Sequence, residues 1–389
     1  MTGLKYPLAG MLFLGYALGN LYKFSYFSPD IRISLLDISV FLCILYTIYV
    51  HKNKLISIYR VNKFTKPFLN FVLWAFFSLL ISFFSWGARA VTVGSLYLFR
   101  FLSLGLLFLF FKQFSRTEIL RGLRFLSLVI IITGLFQYLF FPDIRKLAVS
   151  DWDPHYFRVV GSLLDPGFMG IMLLFVMLFL VFFPLKKLWQ QRCLFGLAYL
   201  LFALTYSRAG FLAAFVALSL FAYFRKTWKL FFIGTVILTL TLILLPRGPG
   251  GEGVKLERTS TIMARLINWK NSLTVFIRYP VLGVGFNTYR YAQRDLGYLN
   301  QDSWLHSHAG AGADSSLLFV LATTGLFGFL LYLNYLKAFL TFFGFGSLPG
   351  LSLAALLVHS LFLNSLFYPW VLVWLALITA LEIRDYKLR

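Results

Sequence analysis

The sequence is 389 residues long and has little charge, few acidic side chains and almost no cysteine. Charged residues make up 13% of it, about half the share that a soluble globular chain carries. A chain this poor in charge cannot cover a surface that faces water, so most of its surface must face lipid. The two cysteines, Cys43 and Cys193, lie within or at the edge of apolar runs. They exclude a disulfide framework and a cysteine-rich zinc site.

Long apolar runs fill most of the chain, of which 60% is hydrophobic. The runs are continuous and do not alternate, which indicates membrane-spanning helices and excludes an outer-membrane barrel. We therefore predict an all-α polytopic membrane protein with about 12 transmembrane helices. The predicted spans are 6–22, 31–50, 67–85, 91–111, 125–141, 163–183, 193–207, 209–224, 230–246, 315–336, 348–366 and 368–383.

The basic residues predict the topology. Lysine and arginine outnumber aspartate and glutamate by 36 to 14, for a net charge of +22, and they concentrate in every second connection. This is the pattern of cytoplasmic connections beside anionic lipid, so we predict membrane lipids, and no nucleic acid, as partners of these charges. An even number of spans places both termini in the cytoplasm. The basic segments are 51–66, 112–124, 186–192, 224–229 and 384–389.

Two connections on the opposite face are too long for simple turns, 142–162 and 247–314. We divide the chain into helices 1–9 (1–246), an external catalytic loop between helices 9 and 10 (247–314), and helices 10–12 (315–389). Apolar residues recur at helical spacing in the middle of the long loop, which predicts a helix at the membrane interface. They are Ile262, Leu266, Trp269, Leu273 and Phe276.

Arginines beside apolar runs are the first candidates for function, because a charge is costly in hydrocarbon. Arg158, Arg208, Arg265 and Arg278 map to the outer face of the predicted topology, whereas Arg100 interrupts a span. Each alone is also explained as a charge that snorkels to the surface. Together they favour a site for an anion such as the phosphate of a lipid head group, since guanidinium donates two bonds to phosphate oxygens and stays charged.

Three loop residues, His306, His308 and Asp314, are candidates for a general base. A solvated loop histidine is the alternative, and Asp314 could instead cap the helix that follows it. The two histidines have no clear further ligands, so we predict no metal and no cofactor. His359 and Asn364 lie within a predicted helix, where hydrogen bonding between helices is their expected role.

Five motifs follow one another along the chain. Arg158 to Gly170 contains Arg-x-x-Gly and ends in a Pro/Gly helix start, and Ser207–Gly210 reads Ser-Arg-Ala-Gly. The long loop carries Arg-x-x-x-Trp (Arg265, Trp269) and Pro-x-x-Gly-x-Gly-Phe (Pro280, Gly283, Gly285, Phe286). Asp314 and Ser315 are then followed, nine residues on, by Gly325 and Gly328.

In this order, over about residues 155–370, the chain resembles the superfamily of bacterial O-antigen ligases and O-antigen polymerases. The resemblance implies a metal-independent glycosyltransferase of the GT-C type at the outer face of the bacterial inner membrane. Its substrate would be an undecaprenyl-diphosphate-linked oligosaccharide, and the four outer arginines would bind the diphosphate. A chain-length regulator is a candidate partner. Tyr289, Tyr298 and Trp304 in the loop could contact sugars, although anchoring at the interface explains them equally well.

One departure from the family pattern bears on the reaction. The family places His before the nine-residue spacer, where this chain has Asp314. That His is the proposed base of the ligases and polymerases look less uniform there, so we predict a polymerase of O-antigen or exopolysaccharide repeat units. The alternatives are a ligase that transfers the glycan to lipid A core or another acceptor, and a transporter or flippase of lipid-linked sugar.

Overall fold

The computed structural model describes residues 2–24, 31–51, 63–145, 155–246, 251–302, 304–305 and 309–386. Over these residues the regular secondary structure is helical, apart from one antiparallel pair of two-residue strands, Lys23–Phe24 with Ile33–Ser34, and an isolated bridge between Asp143 and Tyr156. The helices are α1 (Lys5–Leu18), α2 (Leu35–His51), α3 (Thr65–Ile81), α4 (Phe83–Leu106), α5 (Phe108–Phe111), α6 (Arg116–Phe140), α7 (Pro166–Phe182), α8 (Leu188–Ala203), α9 (Arg208–Arg225), α10 (Trp228–Leu244), α11 (Ser260–Arg278), α12 (Tyr289–Asp295), α13 (Ser316–Phe343), α14 (Leu348–His359) and α15 (Pro369–Tyr386).

Each predicted span overlaps one or two of these helices. Within the described ranges, four helical stretches are long and apolar enough to cross a membrane: Phe83–Phe111, Arg116–Phe140, Arg208–Arg225 and Ser316–Phe343. The other apolar helices are shorter, such as Pro166–Phe182, which is almost entirely buried by its neighbours. The protein is therefore an all-α membrane protein built around a buried apolar bundle.

Several predicted boundaries shift by a few residues, and one of these shifts bears on the site. The span expected over 348–366 ends as helix at His359. The carbonyl of Ser360 accepts a hydrogen bond from the amide of Ser316 at 2.9 Å, so the chain turns against the start of α13. The predicted loop helix, in contrast, is confirmed as α11.

Side-chain caps fix where three helices begin. Asp165 accepts from the amides of Gly167 and Phe168 at 2.6 and 2.9 Å at the start of α7. Ser207 accepts from an amide of the first turn of α9, and Ser315 does the same for α13. The proposal that Asp314 caps α13 is therefore wrong, because Ser315 holds the cap position and Asp314 lies one residue outside.

The last two glycine motifs have a structural role in the fold. Gly325 has a φ of +67° and interrupts α13. Such a break frees backbone groups that have no water partner in a membrane. The segment 280–286 supplies partners: the amides of Val284 and Gly285 donate to the carbonyls of Ala322 and Thr323 at 3.1 and 3.0 Å. This pairing fixes the position of Phe286 and of the residues that follow it.

Described basic residues from several of these connections meet at one end of the bundle. Lys5 Nζ donates to the carbonyl of Gln113 at 3.0 Å, and Arg384 donates to that of Lys112 at 3.0 Å. The guanidiniums of Arg116 and Arg225 lie over the rings of Phe183 and Phe182, at 5.6 and 5.3 Å. These contacts gather the ends of α7, α9 and α15, so the capped starts of α7 and α9 lie at the opposite end.

This arrangement predicts which loops face outward. In a Cys193→Ser background, Asn300→Cys should react with a membrane-impermeant thiol reagent in intact cells, because it lies in the connection opposite the basic end. Lys63→Cys should react only after the cells are permeabilised. Labelling of intact cells at Lys63→Cys but not at Asn300→Cys would reverse the topology.

A candidate active site at the capped end of the bundle

A cavity of about 670 Å³ lies among the helix starts at the end away from the basic connections. Its walls are the end of α1, residues 93–104 of α4, the segment that leads into α7, the starts of α9, α11 and α13, and the turn between α14 and α15. This volume is in the range of small-molecule sites, about 300–1,000 Å³.

Positive charge dominates the cavity wall. Among the described residues, two aspartates, Asp165 and Asp314, face a larger set of arginines. The arginines are Arg100, Arg158, Arg208, Arg258, Arg265 and Arg290. Arg100 is held apart by a salt bridge to Asp37, with Nε 2.8 Å from Oδ1.

Arg158 is the most buried of these arginines, with 7% of its surface exposed. Its Nε donates to the carbonyl of Thr205 at 2.9 Å, just beyond the end of α8. Burial and then the charge of Arg258 lower its pKa to about 9, and the carboxylate of Asp165 partly opposes the shift. Arg158 is thus a buried cation that donates hydrogen bonds to neutral carbonyls.

Arg208, Arg258 and Arg265 complete a cluster with Arg158. Arg208 donates to the carbonyl of Arg258 at 3.0 Å and to the Thr261 hydroxyl, and so ties the start of α9 to the loop before α11. Burial, followed by the charges of Arg208 and Arg265, lowers the pKa of Arg258 to about 10. Guanidiniums that repel one another in this way favour a bound anion, because the anion offsets their mutual repulsion.

Arg265 lies between the cluster and the candidate base. Burial lowers its pKa most strongly, and the charges of Asp314 and Asp165 raise it. Its guanidinium lies 5.8 Å from the ring centre of Phe362, which also packs against Trp269 at 6.0 Å. The Arg-x-x-x-Trp motif therefore places one arginine toward the cavity and anchors it with an aromatic pair.

Of the four arginines predicted for the diphosphate, the structure brings three together, Arg158, Arg208 and Arg265. Arg278 is exposed and does not line the cavity. It lies 13 residues farther along α11, about 20 Å at 1.5 Å per residue. Arg100, which the predicted topology set apart, does line the cavity, because the cavity extends along α4 from Val93 to Leu104.

Sequence reasoning missed other polar groups of the site, namely Arg258, Arg290, Asp165 and His155. They lie in or beside long polar connections, where charge is ordinary and gives no signal. His155 is largely buried, and burial followed by the charges of Arg158 and Arg258 lowers its pKa to about 3. It is therefore a neutral imidazole at physiological pH.

Asp314 is the candidate base that the structure places in the cavity. It is half-buried, and its amide donates to Asn268 Oδ1 of α11 at 2.8 Å. Because Ser315 supplies the cap of α13, the Asp314 carboxylate is not needed for that role. His306 and His308 lie outside the described residues. In the part of the chain that the structure describes, no three His, Cys, Asp or Glu side chains group as metal ligands.

The predicted sugar contacts are not in the cavity wall. Tyr289 is fully buried and its hydroxyl lies 2.7 Å from Ser272 Oγ, so it joins α12 to α11 and is not placed to touch a sugar. Tyr298 is exposed elsewhere in the loop. Trp304 packs edge-on against Tyr291 at 5.0 Å and beneath Arg294.

His359 has the role expected for it. Its Nε2 lies 3.1 Å from the carbonyl of Gly167, which can only accept, so Nε2 carries the proton. Nδ1 then accepts from Ser365 Oγ at 3.1 Å. The prediction that His359 bonds between helices is confirmed, since the ring joins α14 to α7. Asn364 instead lines the cavity.

The structure is an apolar helical bundle with a cationic cavity at its helix ends, and such a cavity suits an anion. Residues 193–333 match the family model described as O-antigen ligase. The match agrees with the resemblance that the motifs carry, and it supports a membrane enzyme that processes O-antigen-related glycan. No curated protein matches the chain.

The arginine cluster makes a testable prediction with a control on the same helix. Arg265→Lys should weaken binding of inorganic pyrophosphate at least about tenfold, because an ammonium cannot reproduce bidentate contacts. Arg208→Lys should act in the same direction. Arg278→Lys, which changes an exposed arginine of α11, should bind like the wild type. Equal binding by all three variants, measured by calorimetry on purified protein, would remove the cluster from the site.

Proposed function

We propose that the protein polymerises oligosaccharide repeat units carried on a polyprenyl diphosphate. The observation that carries this proposal is one cavity with four clustered arginines, Arg158, Arg208, Arg258 and Arg265, and the Asp314 carboxylate. The arginines suit a diphosphate, and the carboxylate suits an acceptor hydroxyl.

The proposed reaction has one proton transfer and one displacement. Asp314 takes the proton of the acceptor hydroxyl while its oxygen bonds to the anomeric carbon of the donor glycan. The bond from that carbon to the diphosphate oxygen breaks, and the electron pair leaves with the diphosphate. Guanidiniums that are already in place stabilise the charge that develops on the leaving group. The reaction needs no divalent cation for this purpose.

The basic end of the bundle supports a direction for the site. Because Lys/Arg-rich connections face the cytoplasm, the cavity at the other end would face the outside of the bacterial inner membrane. Both termini would be cytoplasmic, and about 12 helices would cross the bilayer in a GT-C-type arrangement. A lipid-linked donor would then present its diphosphate near the membrane surface.

Ligase activity is the second candidate function. It is favoured by the family description, O-antigen ligase, of the matched region. Polymerase is favoured by Asp314, which stands where the ligases have the proposed His base. A transporter of lipid-linked sugar would need the cationic cavity but not a carboxylate beside it.

A single reconstitution tests these candidates. Purified protein given only a lipid-linked repeat unit should produce a ladder of longer lipid-linked chains, and EDTA should leave the ladder unchanged. A product that forms only after a lipid A core acceptor is added identifies a ligase. Neither product in the presence of both substrates would contradict transfer altogether, and loss of the ladder in EDTA would revive a metal mechanism.

The role of Asp314 can be separated from folding. Asp314→Asn keeps the side-chain shape and leaves the Ser315 cap in place, but it cannot accept a proton. We expect ladder formation to slow by about 100-fold to 10,000-fold, while pyrophosphate binding stays. His308→Ala is the comparison variant. Normal polymerisation by Asp314→Asn together with an inactive His308→Ala would assign the base to the histidine.

A further inference from the structure

The cavity also carries buried hydrogen-bond acceptors that a diphosphate cannot satisfy. Asn20, at the end of α1, is 5% exposed and lines the cavity. Its Nδ2 donates to the carbonyl of Leu163 at 2.6 Å and to the Tyr368 hydroxyl at 3.1 Å. A carbonyl accepts only, so these contacts fix the orientation of the amide. Its Oδ1 is buried and has no donor among the described residues.

Asn364 repeats the pattern in a second segment of the wall. It lies in the turn between α14 and α15, four residues before Tyr368, and it lines the same cavity. Its Oδ1 is also buried and without a donor in the described part of the chain. Buried acceptors are rarely left unpaired in proteins, and a ligand is one reason for an exception.

The acceptors adjoin the arginine cluster through one segment, Leu163–Phe168. Leu163 holds Asn20, and Asp165 of the same segment acts electrostatically on both Arg158 and Arg265. The ring of Phe168 stacks on that of Tyr368 at 3.7 Å, so the same segment contacts the turn that carries Asn364. A group bound at the acceptors would therefore lie next to a group bound by the arginines.

The chemistry of these two sets separates their ligands. Arginine only donates, so it suits phosphate oxygens, whereas an amide oxygen requires a hydroxyl or an N–H. We propose that Asn20 and Asn364 form the subsite for the sugar attached directly to the diphosphate, and that their Oδ1 atoms accept from its hydroxyl or acetamido groups. This proposal rests on the proposed function, which places a lipid-linked glycan in the cavity.

The subsite would determine specificity. Asn20 and Asn364 lie outside residues 193–333, the region that matches the family. A site built to hydrogen-bond a substrate hydroxyl rejects a substrate that lacks it, because its own polar group is then left unpaired. The identity of the first sugar would thus be read by the ends of the chain.

The test measures binding of radiolabelled lipid-linked glycan to full-length protein, beside binding of inorganic pyrophosphate. Asn364→Leu, which keeps side-chain size, should weaken the glycan at least tenfold and leave pyrophosphate unchanged. Asn20→Ala is the second variant. Asn334→Leu, at an exposed position of α13, is the matched control and should bind both ligands normally.

Deoxy analogues of the first sugar give the deciding result. Removal of the contacted hydroxyl or acetamido group should weaken binding to the wild type. It should not further weaken binding to the variant in which the contacting asparagine is already replaced. Additive losses at every position of the sugar, or equal weakening of pyrophosphate and glycan, would overturn the subsite. Glycan that binds with these couplings but is never transferred would contradict the proposed function and leave the subsite standing.

Discussion

The site depends on burying several guanidiniums together at the ends of helices. Burial of like charges is unfavourable unless hydrogen bonds and dipoles offset it. Arg158 donates such hydrogen bonds to the carbonyls of Thr205 and Tyr206, just beyond the end of α8, where the helix dipole is negative. Arg208 donates hydrogen bonds to carbonyls of the loop before α11. Carbonyls orient the cations without neutralising them, so the cavity keeps its attraction for an anion.

The glycine motifs are explained by the membrane, because lipid offers no hydrogen-bond partners to free backbone groups. Where α13 breaks at Gly325, the segment 280–286 supplies donors to the exposed carbonyls, and Trp74 Nε1 donates to that of Thr324 at 2.9 Å. A broken helix at this depth is tolerated only when protein groups replace the lost bonds. These glycines therefore shape the site by fixing the loop that carries Phe286 and Arg290, and they need no chemical role of their own.

The sequence predicted helices well because lipid demands long apolar runs, and it predicted Arg158, Arg208 and Arg265 because a charge beside such a run is unusual. It could not predict Arg258 or Arg290, since a cation in a polar loop is ordinary until the loop folds over a cavity. The position of Arg278 outside the cluster, in contrast, follows from helix geometry alone. On α11 it lies about 220° around the helix from Arg265, on nearly the opposite face.

The two halves of the proposed substrate differ in how far they vary. Every polyprenyl diphosphate presents the same phosphate oxygens, so one cluster of arginines serves any lipid-linked donor, and three of its four members lie in the matched region. The sugar varies from one glycan to another. Groups that read it must be able to change without disturbing the cations, and Asn20 and Asn364 meet this condition because they reach the cavity from α1 and from the turn before α15. On this view, a change of sugar requires substitutions at the ends of the chain, while the chemistry of transfer stays with the loop and α13 between them.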